Sequence, residues 1–283
     1  MRSRGTRSAG AGAKSRFWQT RGAYDGAVPT QTALVMPKAR LGDVNSTLFD
    51  FAITTFDVDV EKLASFLPQG LEVERFVMAD GRERGLVSAV TFYNTNFYVH
   101  FAPFVRLSCA QTNYRAYVKR GNERVVWFFG TALASPFVYL PRYAWRLPWH
   151  RAQVTRSSAW KDDALEKLDW HARATGAEEK LRLRGTGRAL HQLDGFANVE
   201  DTHFILTHPT RGFLRTRSGR IATYGVWHAP LVMEEAEVDE ARFERFELLG
   251  LVAPGQAPHS VLVQRTTDFL VLLPPQRVRE MER

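Results

Sequence analysis

Polar side chains alternate along the first strand of a predicted β-hairpin that spans residues 107–134. They are Gln111, Asn113, Arg115 and Tyr117. Because successive side chains of a strand point to opposite faces, all four project from the same face. The other face carries mostly small or apolar residues, and the second strand, VVWFFGTALA, is almost wholly apolar. This pattern indicates the lining of a pocket.

Arg115 has the strongest chemical constraint of this row. A guanidinium keeps its charge when it is buried, so it needs an anion or several hydrogen-bond acceptors. One interpretation is an internal bridge to Glu200 or Asp201. The other is a clamp for a ligand carboxylate, with the other three polar residues of the row fixing the ligand's orientation. None of the four is a good base near neutral pH, so the row favours binding an oxyanion over general-base catalysis.

Other reactive residue types form no recognisable motif. The eight histidines include neither HExxH nor an HxH pair, and the closest grouping, Asp201, His203 and His208, has no third histidine nearby. We therefore predict no metal and no cofactor. GxSxG, Walker and GxGxxG motifs are absent, so hydrolase, nucleotide-triphosphatase and Rossmann interpretations lack support. Cys109 shares the face of Gln111 and is either a nucleophile or, as is usual for a lone buried thiol, core filling.

The elements that would position the polar row are mostly strands. LFDFAITTF predicts a strand, VEKLASFL predicts a helix capped by Asp59, and residues 150–190 predict a meander with charged turns. A further hairpin has Ser218-Gly219 at its turn, and short helices are predicted after Ser135 and around VEDTHFIL and ARFERFELLGL. We predict an α+β, mainly β fold: one large barrel or sandwich with small helical inserts.

The positive charge is concentrated at the N-terminus. The chain has 283 residues and a net charge of +8, but residues 1–45 carry eight Lys or Arg and two Asp. The remaining residues are nearly neutral, which does not favour a nucleic-acid partner for the folded body. We predict a disordered basic arm (1–28), a tether (29–45), a single domain (46–275) and a tail (276–283). The sequence has no apolar run of 18 residues, and its single cysteine is typical of a reducing compartment, so we predict a cytoplasmic protein without a membrane partner.

Several segments resemble one protein family when they are taken in order. QTNYRAYV, VVWFF and ALASPFVYLPRYAWRLPWHRAQV are similar to the YqjF-like uncharacterised family of the acetoacetate decarboxylase-like superfamily, whose motifs approximate E-x-N-x-R-x-Y-V and R-x-x-x-x-LPY. The second motif places Arg142 among the predicted ligand-binding residues. GVWHAPLVMEEAEV is similar to the family's v-x-H-x-P-W segment and places His228. The resemblance covers about residues 46–275.

The resemblance implies a closed, cone-like antiparallel β-barrel with a flanking sheet and short helices around an internal polar cavity. Decarboxylases of the superfamily form a Schiff base on a lysine that follows a step corresponding to Leu147-Pro148. The residues after that step here are Trp149, His150 and Arg151. The seven lysines lie elsewhere, and Gln111 stands where the family has Glu. Imine-forming decarboxylation is therefore not expected.

A cavity of this kind fits two functions of different classes. The first is a binding domain that holds a small organic acid or another oxygenated metabolite. The second is a lyase, hydratase or isomerase that acts on a carbonyl substrate without an imine, with Arg115 holding a carboxylate or enolate. His150 or His228 would then move protons, although each of them is also compatible with a structural role. The expected partner is a small molecule, and homo-oligomerisation remains open.

Overall fold

The computed structural model describes residues 36–174 and 176–281, and within these ranges the chain is mainly β. The strands are β1 (Val44–Val58), β2 (Glu72–Val73), β3 (Phe76–Val77), β4 (Glu83–Val99), β5 (Leu107–Arg120), β6 (Glu123–Leu133), β7 (Trp149–Lys161), β8 (Ala164–Ala174), β9 (Ala177–Ala189), β10 (Arg211–Arg215), β11 (Ile221–His228), β12 (Glu234–Phe243) and β13 (Ser260–Arg277). The α-helices are α1 (Val60–Ala64), α2 (Tyr139–Ala144), α3 (Val199–Thr207) and α4 (Glu244–Leu248). The predicted mainly β class is confirmed.

The predicted arm, residues 1–28, and the first part of the tether lie outside the described residues, as do residues 282 and 283. β1 begins at the end of the predicted tether. β13 and a 3-10 helix, Arg279–Met281, occupy most of the predicted tail. The domain boundaries themselves stay predictions.

The strands pair into two rings that share one sheet. Five strands lie side by side in the order β13-β1-β4-β5-β6. From β6 the pairing returns to β13 by two routes, one through β10 and β11 and the other through β7, β8, β9 and β12. Each route closes a ring with the shared sheet, so both faces of that sheet are enclosed.

The expectation of a wholly antiparallel arrangement is wrong at β6. This strand pairs in parallel with β7 over Thr131–Leu133 and in parallel with β10 over Val126–Phe128. A parallel neighbour requires a crossover instead of a tight turn. Residues 134–148 supply the crossover to β7, with a 3-10 helix, Pro136–Val138, followed by α2. The predicted short helix after Ser135 is thus part of this crossover, and Ser135 caps it by accepting from the Phe137 amide at 3.2 Å.

The hairpin of β5 and β6 forms one end of the shared sheet, and its alternation agrees with the sequence pattern. Ala110, Tyr114 and Ala116 pack into the larger apolar core on one face of β5. The side chains of Arg115 and Tyr117 point to the other face, into the ring that β10 and β11 close. No helix among the described residues is long and apolar enough to cross a membrane.

Candidate ligand-binding cavity

A cavity of about 120 Å³ lies inside the ring that contains β10 and β11, and every strand of that ring contributes to its wall. Most lining residues are aliphatic or aromatic. The polar ones are Ser46, Asn94, Gln111, Asn113, Arg115, Thr207, Tyr224 and His228. None of the described residues that line it is Asp, Glu or Lys. The volume is well below the roughly 300–1,000 Å³ of sites for drug-sized ligands, so it suits a molecule of only a few heavy atoms.

Arg115 lines this cavity and has no carboxylate partner. Its Nη2 donates to the Leu206 carbonyl oxygen at 2.8 Å and to the Tyr117 hydroxyl at 3.1 Å. Its Nε is buried without a hydrogen-bond partner among the described residues. No described Asp or Glu forms an ion pair with it, so the internal bridge to Glu200 or Asp201 is not formed. The guanidinium of this lining residue is left with donors that have no partner among the described residues, and it has no internal anion.

The local structure explains how Arg115 tolerates this position. Leu206 lies in the last turn of α3, where carbonyl groups have no partner within the helix and carry the negative end of the helix dipole. Tyr117 donates to the same carbonyl at 3.2 Å and contacts the Ser88 hydroxyl at 2.9 Å. Tyr117 is 1% exposed and is not among the cavity-lining residues. It therefore lies behind Arg115 as a support, whereas the sequence pattern predicts a direct ligand contact.

The predicted amide residues belong to a chain of hydrogen bonds along the cavity wall. Asn94 Nδ2 donates to Gln111 Oε1 at 3.1 Å, and Gln111 Nε2 donates to Asn113 Oδ1 at 2.9 Å. Thr131 also donates to Asn113 Oδ1, at 2.9 Å. Both bonds are accepted by Oδ1, and no described residue accepts from Asn113 Nδ2. This nitrogen is therefore available as a donor to a molecule in the cavity. The network fixes the orientation of one more donor beside Arg115.

His228 lines the same cavity and is neutral. Its Nδ1 donates to the Ala229 carbonyl oxygen at 2.8 Å, which leaves Nε2 as an acceptor without a partner among the described residues. The ring stacks on Phe269 with centroids 4.5 Å apart and meets His208 edge-on at 4.9 Å. Burial lowers the pKa of His228 to about 4, and the positive charge of Arg115 acts in the same direction. The imidazole is thus a fixed hydrogen-bond acceptor at neutral pH.

The other two predicted site residues lie outside the cavity wall. Arg142 donates through Nη1 to the Trp149 carbonyl oxygen and lies 3.5 Å from Nδ1 of His150. Trp149 lines the cavity, so Arg142 braces a lining residue. Burial lowers the pKa of His150 to about 4, helped by the positive charges of Arg245 and Arg142. Their predicted roles in ligand binding and proton transfer stay predictions.

Tyr224 is a lining residue that the sequence pattern did not single out. It lies on β11 two positions before Val226 and four before His228, so alternation puts all three on one face. Its ring stacks on Phe128, with centroids 5.5 Å apart and planes 11° from parallel. The same period of two that identified Gln111 to Tyr117 applies to IATYGVWH and would have found it.

The residues considered for a metal do not assemble into a site. Among residues 36–174 and 176–281, no group of three or more His, Cys, Asp or Glu is placed to hold a metal ion. His203 instead pairs with the Leu231 carbonyl oxygen at 2.6 Å. Cys109 is buried among apolar side chains, and burial raises the pKa of its thiol to about 11. A thiol with this pKa is a poor nucleophile at neutral pH.

The fold is similar to that of solved acetoacetate decarboxylase-like proteins. The chain is similar to an acetoacetate decarboxylase from Legionella pneumophila, with a TM-score of 0.53 and 12% identity over 91% of this chain and 98% of that one. It is similar to an acetoacetate decarboxylase-like enzyme from Sphingomonas wittichii RW1, with a TM-score of 0.53 and 11% identity over 85% and 94%. It is also similar to the enduracididine biosynthesis enzyme MppR in complex with pyruvate, with a TM-score of 0.52 and 10% identity over 85% and 91%.

The chain belongs to the DUF2071 family of uncharacterised conserved proteins, whose model matches residues 45–268. The family resemblance expected from the sequence motifs is thereby confirmed, and the solved structures above share the mainly β fold. No curated protein matches the chain.

Proposed function

We propose that the protein binds a small organic acid in the cavity, with the ligand carboxylate on Arg115. The observation that carries this proposal is the guanidinium itself, which lines the cavity with donors free and has no Asp or Glu partner among the described residues. A half-buried cation without an anionic partner has a desolvation cost, and a bound carboxylate would offset that cost through charge-assisted hydrogen bonds. Asn113 Nδ2 adds a neutral donor on the same wall.

Three further observations support a short-chain ligand bound without covalent chemistry. The cavity is small, and its remaining wall is apolar. No described lysine lines it, and an imine requires a lysine that is uncharged at neutral pH. MppR, which shares the fold, has been obtained in complex with pyruvate. We infer from the two closed circuits of strand pairing that the shared sheet and its partners form the cone-like barrel that the resemblance implies. A cytoplasmic location and any homo-oligomer remain predictions.

Isothermal titration of the purified protein with pyruvate, at a pH where the acid is ionised, tests the proposal. The Arg115→Met variant should lose binding, because it removes the charge and keeps most of the side-chain volume. Arg106→Met is the matched control: Arg106 lies at the entry to β5 and donates to Asn96 at 3.0 Å, away from the cavity wall. Unchanged affinity in a folded Arg115→Met protein would refute the clamp.

The second candidate function is a lyase, hydratase or isomerase that works without an imine, and His228 favours it. The unpartnered Nε2 of its neutral imidazole lines the same cavity as Arg115 and is placed to accept a proton, although a pKa of about 4 makes it a weak base. Loss of the pyruvate methyl signal in D₂O, followed by proton NMR, would reveal proton abstraction next to the carbonyl. We expect His228→Gln to abolish such exchange and to preserve pyruvate binding. Binding of pyruvate without any exchange in the wild-type protein would leave the binding function alone.

Borohydride treatment in the presence of pyruvate checks the chemistry that both candidates exclude. A lysine imine would be reduced to a stable adduct, visible as a mass increase of the intact protein. We expect no adduct. A trapped lysine would overturn the inference that the chain works without imine formation.

A further inference from the structure

Tyr224 is held rigidly at the cavity by its neighbours. It pairs with Gly212 across β10 and β11, and its ring stacks on Phe128 from β6. The stack depends on the glycine, because a Cβ at Gly212 would lie 2.2 Å from Phe128 Cε2. Gly212 also lines the cavity. The lack of a side chain at Gly212 therefore leaves room for the Phe128 ring, and the Tyr224 ring can stack on it.

The hydroxyl of Tyr224 has no protein partner within the described ranges of the chain. It differs in this from Tyr117, whose hydroxyl has three polar neighbours, and from Tyr114, whose hydroxyl donates to Glu179. Burial raises the pKa of Tyr224, so the group stays a protonated donor at neutral pH, although the positive charge of Arg115 acts in the opposite direction. Tyr224 and Arg115 line the same cavity.

We propose that Tyr224 is a specificity-determining ligand contact, whose hydroxyl donates to a second oxygen on the acid that Arg115 holds. The cavity would thus select acids that carry an oxo or hydroxyl group over the plain carboxylic acid. A site built to donate to a substrate oxygen discriminates against the analogue that lacks it, because the donor is then left unpaired. This inference rests on the proposed carboxylate binding and adds the residue that recognises the second oxygen of the ligand.

Pyruvate and propionate provide a matched pair of probes. Both are monocarboxylates with three carbons and are fully ionised at pH 7.5, and they differ only in the carbonyl oxygen. We expect wild-type protein to bind pyruvate about ten-fold more tightly than propionate in isothermal titration, the contribution of one retained hydrogen bond. In Tyr224→Phe the preference should fall to near unity, because pyruvate loses its hydrogen bond and propionate no longer leaves a donor unpaired. The aromatic stack on Phe128 survives this change.

The controls separate this inference from the proposal beneath it. Arg115→Met should lose both acids, and Tyr143→Phe, at a tyrosine 62% exposed on α2, should leave both affinities at wild-type values. Equal binding of the two acids by wild-type protein, or an unaltered preference in folded Tyr224→Phe, overturns the role of Tyr224 and leaves carboxylate binding standing. Binding of neither acid by wild-type protein overturns both proposals.

Discussion

On one face of β5 the Glu179 carboxylate receives three hydrogen bonds, and on the other the Arg115 guanidinium has no anion among the described residues. Glu179 is 1% exposed and accepts from Thr112 at 2.6 Å, from Trp170 Nε1 at 3.2 Å and from the Tyr114 hydroxyl. Burial raises the pKa of Glu179, and the three donors and the positive charge of Arg245 oppose that rise.

The two groups lie at opposite faces of the same strand, β5, because successive residues of a strand point to opposite faces. Thr112 and Tyr114 face the larger core, and Arg115 faces the cavity. A polar group whose partners all come from the protein stabilises the fold, because none of its hydrogen bonds is lost on burial. A charged group with donors left over lowers stability and retains binding capacity. We infer that the Glu179 cluster is structural, and the contrast supports the proposal that Arg115 binds a ligand.

The largest expected change in the free energy of unfolding comes from the side of β5 that faces the larger core. Glu179→Ala removes the acceptor of three buried donors and leaves a gap, so we expect a loss of about 4 kcal/mol in the free energy of unfolding. Urea denaturation measures it. Glu179→Gln is the matched control, since it keeps the volume and one acceptor oxygen, and it should lose about half as much. If Glu179→Ala stays within about 1 kcal/mol of wild type, the cluster is not structural.

The next largest effect is a pH dependence of the free energy of unfolding, and it comes from His228 on the cavity face. The folded pKa of His228, about 4, lies below its ordinary value of 6.5, so the unfolded chain takes up the proton first as the pH falls. Stability from this residue is complete above pH 6.5 and is lost progressively down to pH 4, by about 3 kcal/mol. The neighbouring charges of Arg115, His208 and His203 act in the same direction.

The His228→Gln variant isolates this contribution. Its stability, measured by urea denaturation at several pH values, should fall less than that of wild type between pH 6.5 and 4. His259→Gln is the control, because His259 has partners at Ser260 and at the Asp194 carbonyl oxygen and is not part of the cavity wall. Parallel curves for wild type and His228→Gln would contradict a buried neutral imidazole.

A smaller effect is expected where the cavity wall is most tightly packed. Gly212→Ala forces Phe128 away from its place against Tyr224, which should cost about 2 kcal/mol of stability through overpacking. Gly42→Ala is the control, because its added Cβ would have only ordinary contacts, the nearest at 3.4 Å. Thermal unfolding of the two variants checks the difference. Equal unfolding temperatures would show that the Phe128–Tyr224 stack adjusts without cost.

Local patterns predicted the β-rich fold and one wall of the cavity. Period-two alternation placed Arg115 and its row on one face of β5, because a strand with two buried faces still alternates. The same rule places Glu179 on one face with Leu181 and Leu183 in β9, a strand of the predicted meander, but it does not show that the carboxylate is buried. A charged residue is ordinarily exposed, and only the long-range donors Thr112, Tyr114 and Trp170 reverse that expectation.

Long-range pairing accounts for the remaining differences. The parallel neighbours of β6 and the closure of both rings join segments that are far apart in the chain, and no local pattern encodes them. The partner of Arg115 illustrates this. Sequence left Glu200 and Asp201 as candidates in α3, but the helix presents the Leu206 carbonyl at its C-terminal end instead. The choice between a carboxylate and a backbone oxygen depended on the helix's orientation, which the sequence did not give.

The smallest expected change in the free energy of unfolding distinguishes the two faces of β5 most clearly, because it is the only one that is not a loss. Arg115→Met should leave the free energy of unfolding unchanged or raise it by about 1 kcal/mol, since it removes a half-buried charge and Leu206 keeps its hydrogen bond from Tyr117. Arg156→Met is the matched comparison: Arg156 pairs with the buried Asp50 carboxylate, and its removal should cost about 2 kcal/mol. Urea denaturation distinguishes the two. If Arg115→Met destabilises the protein as much as Arg156→Met does, then Arg115 is already satisfied by the fold and needs no ligand.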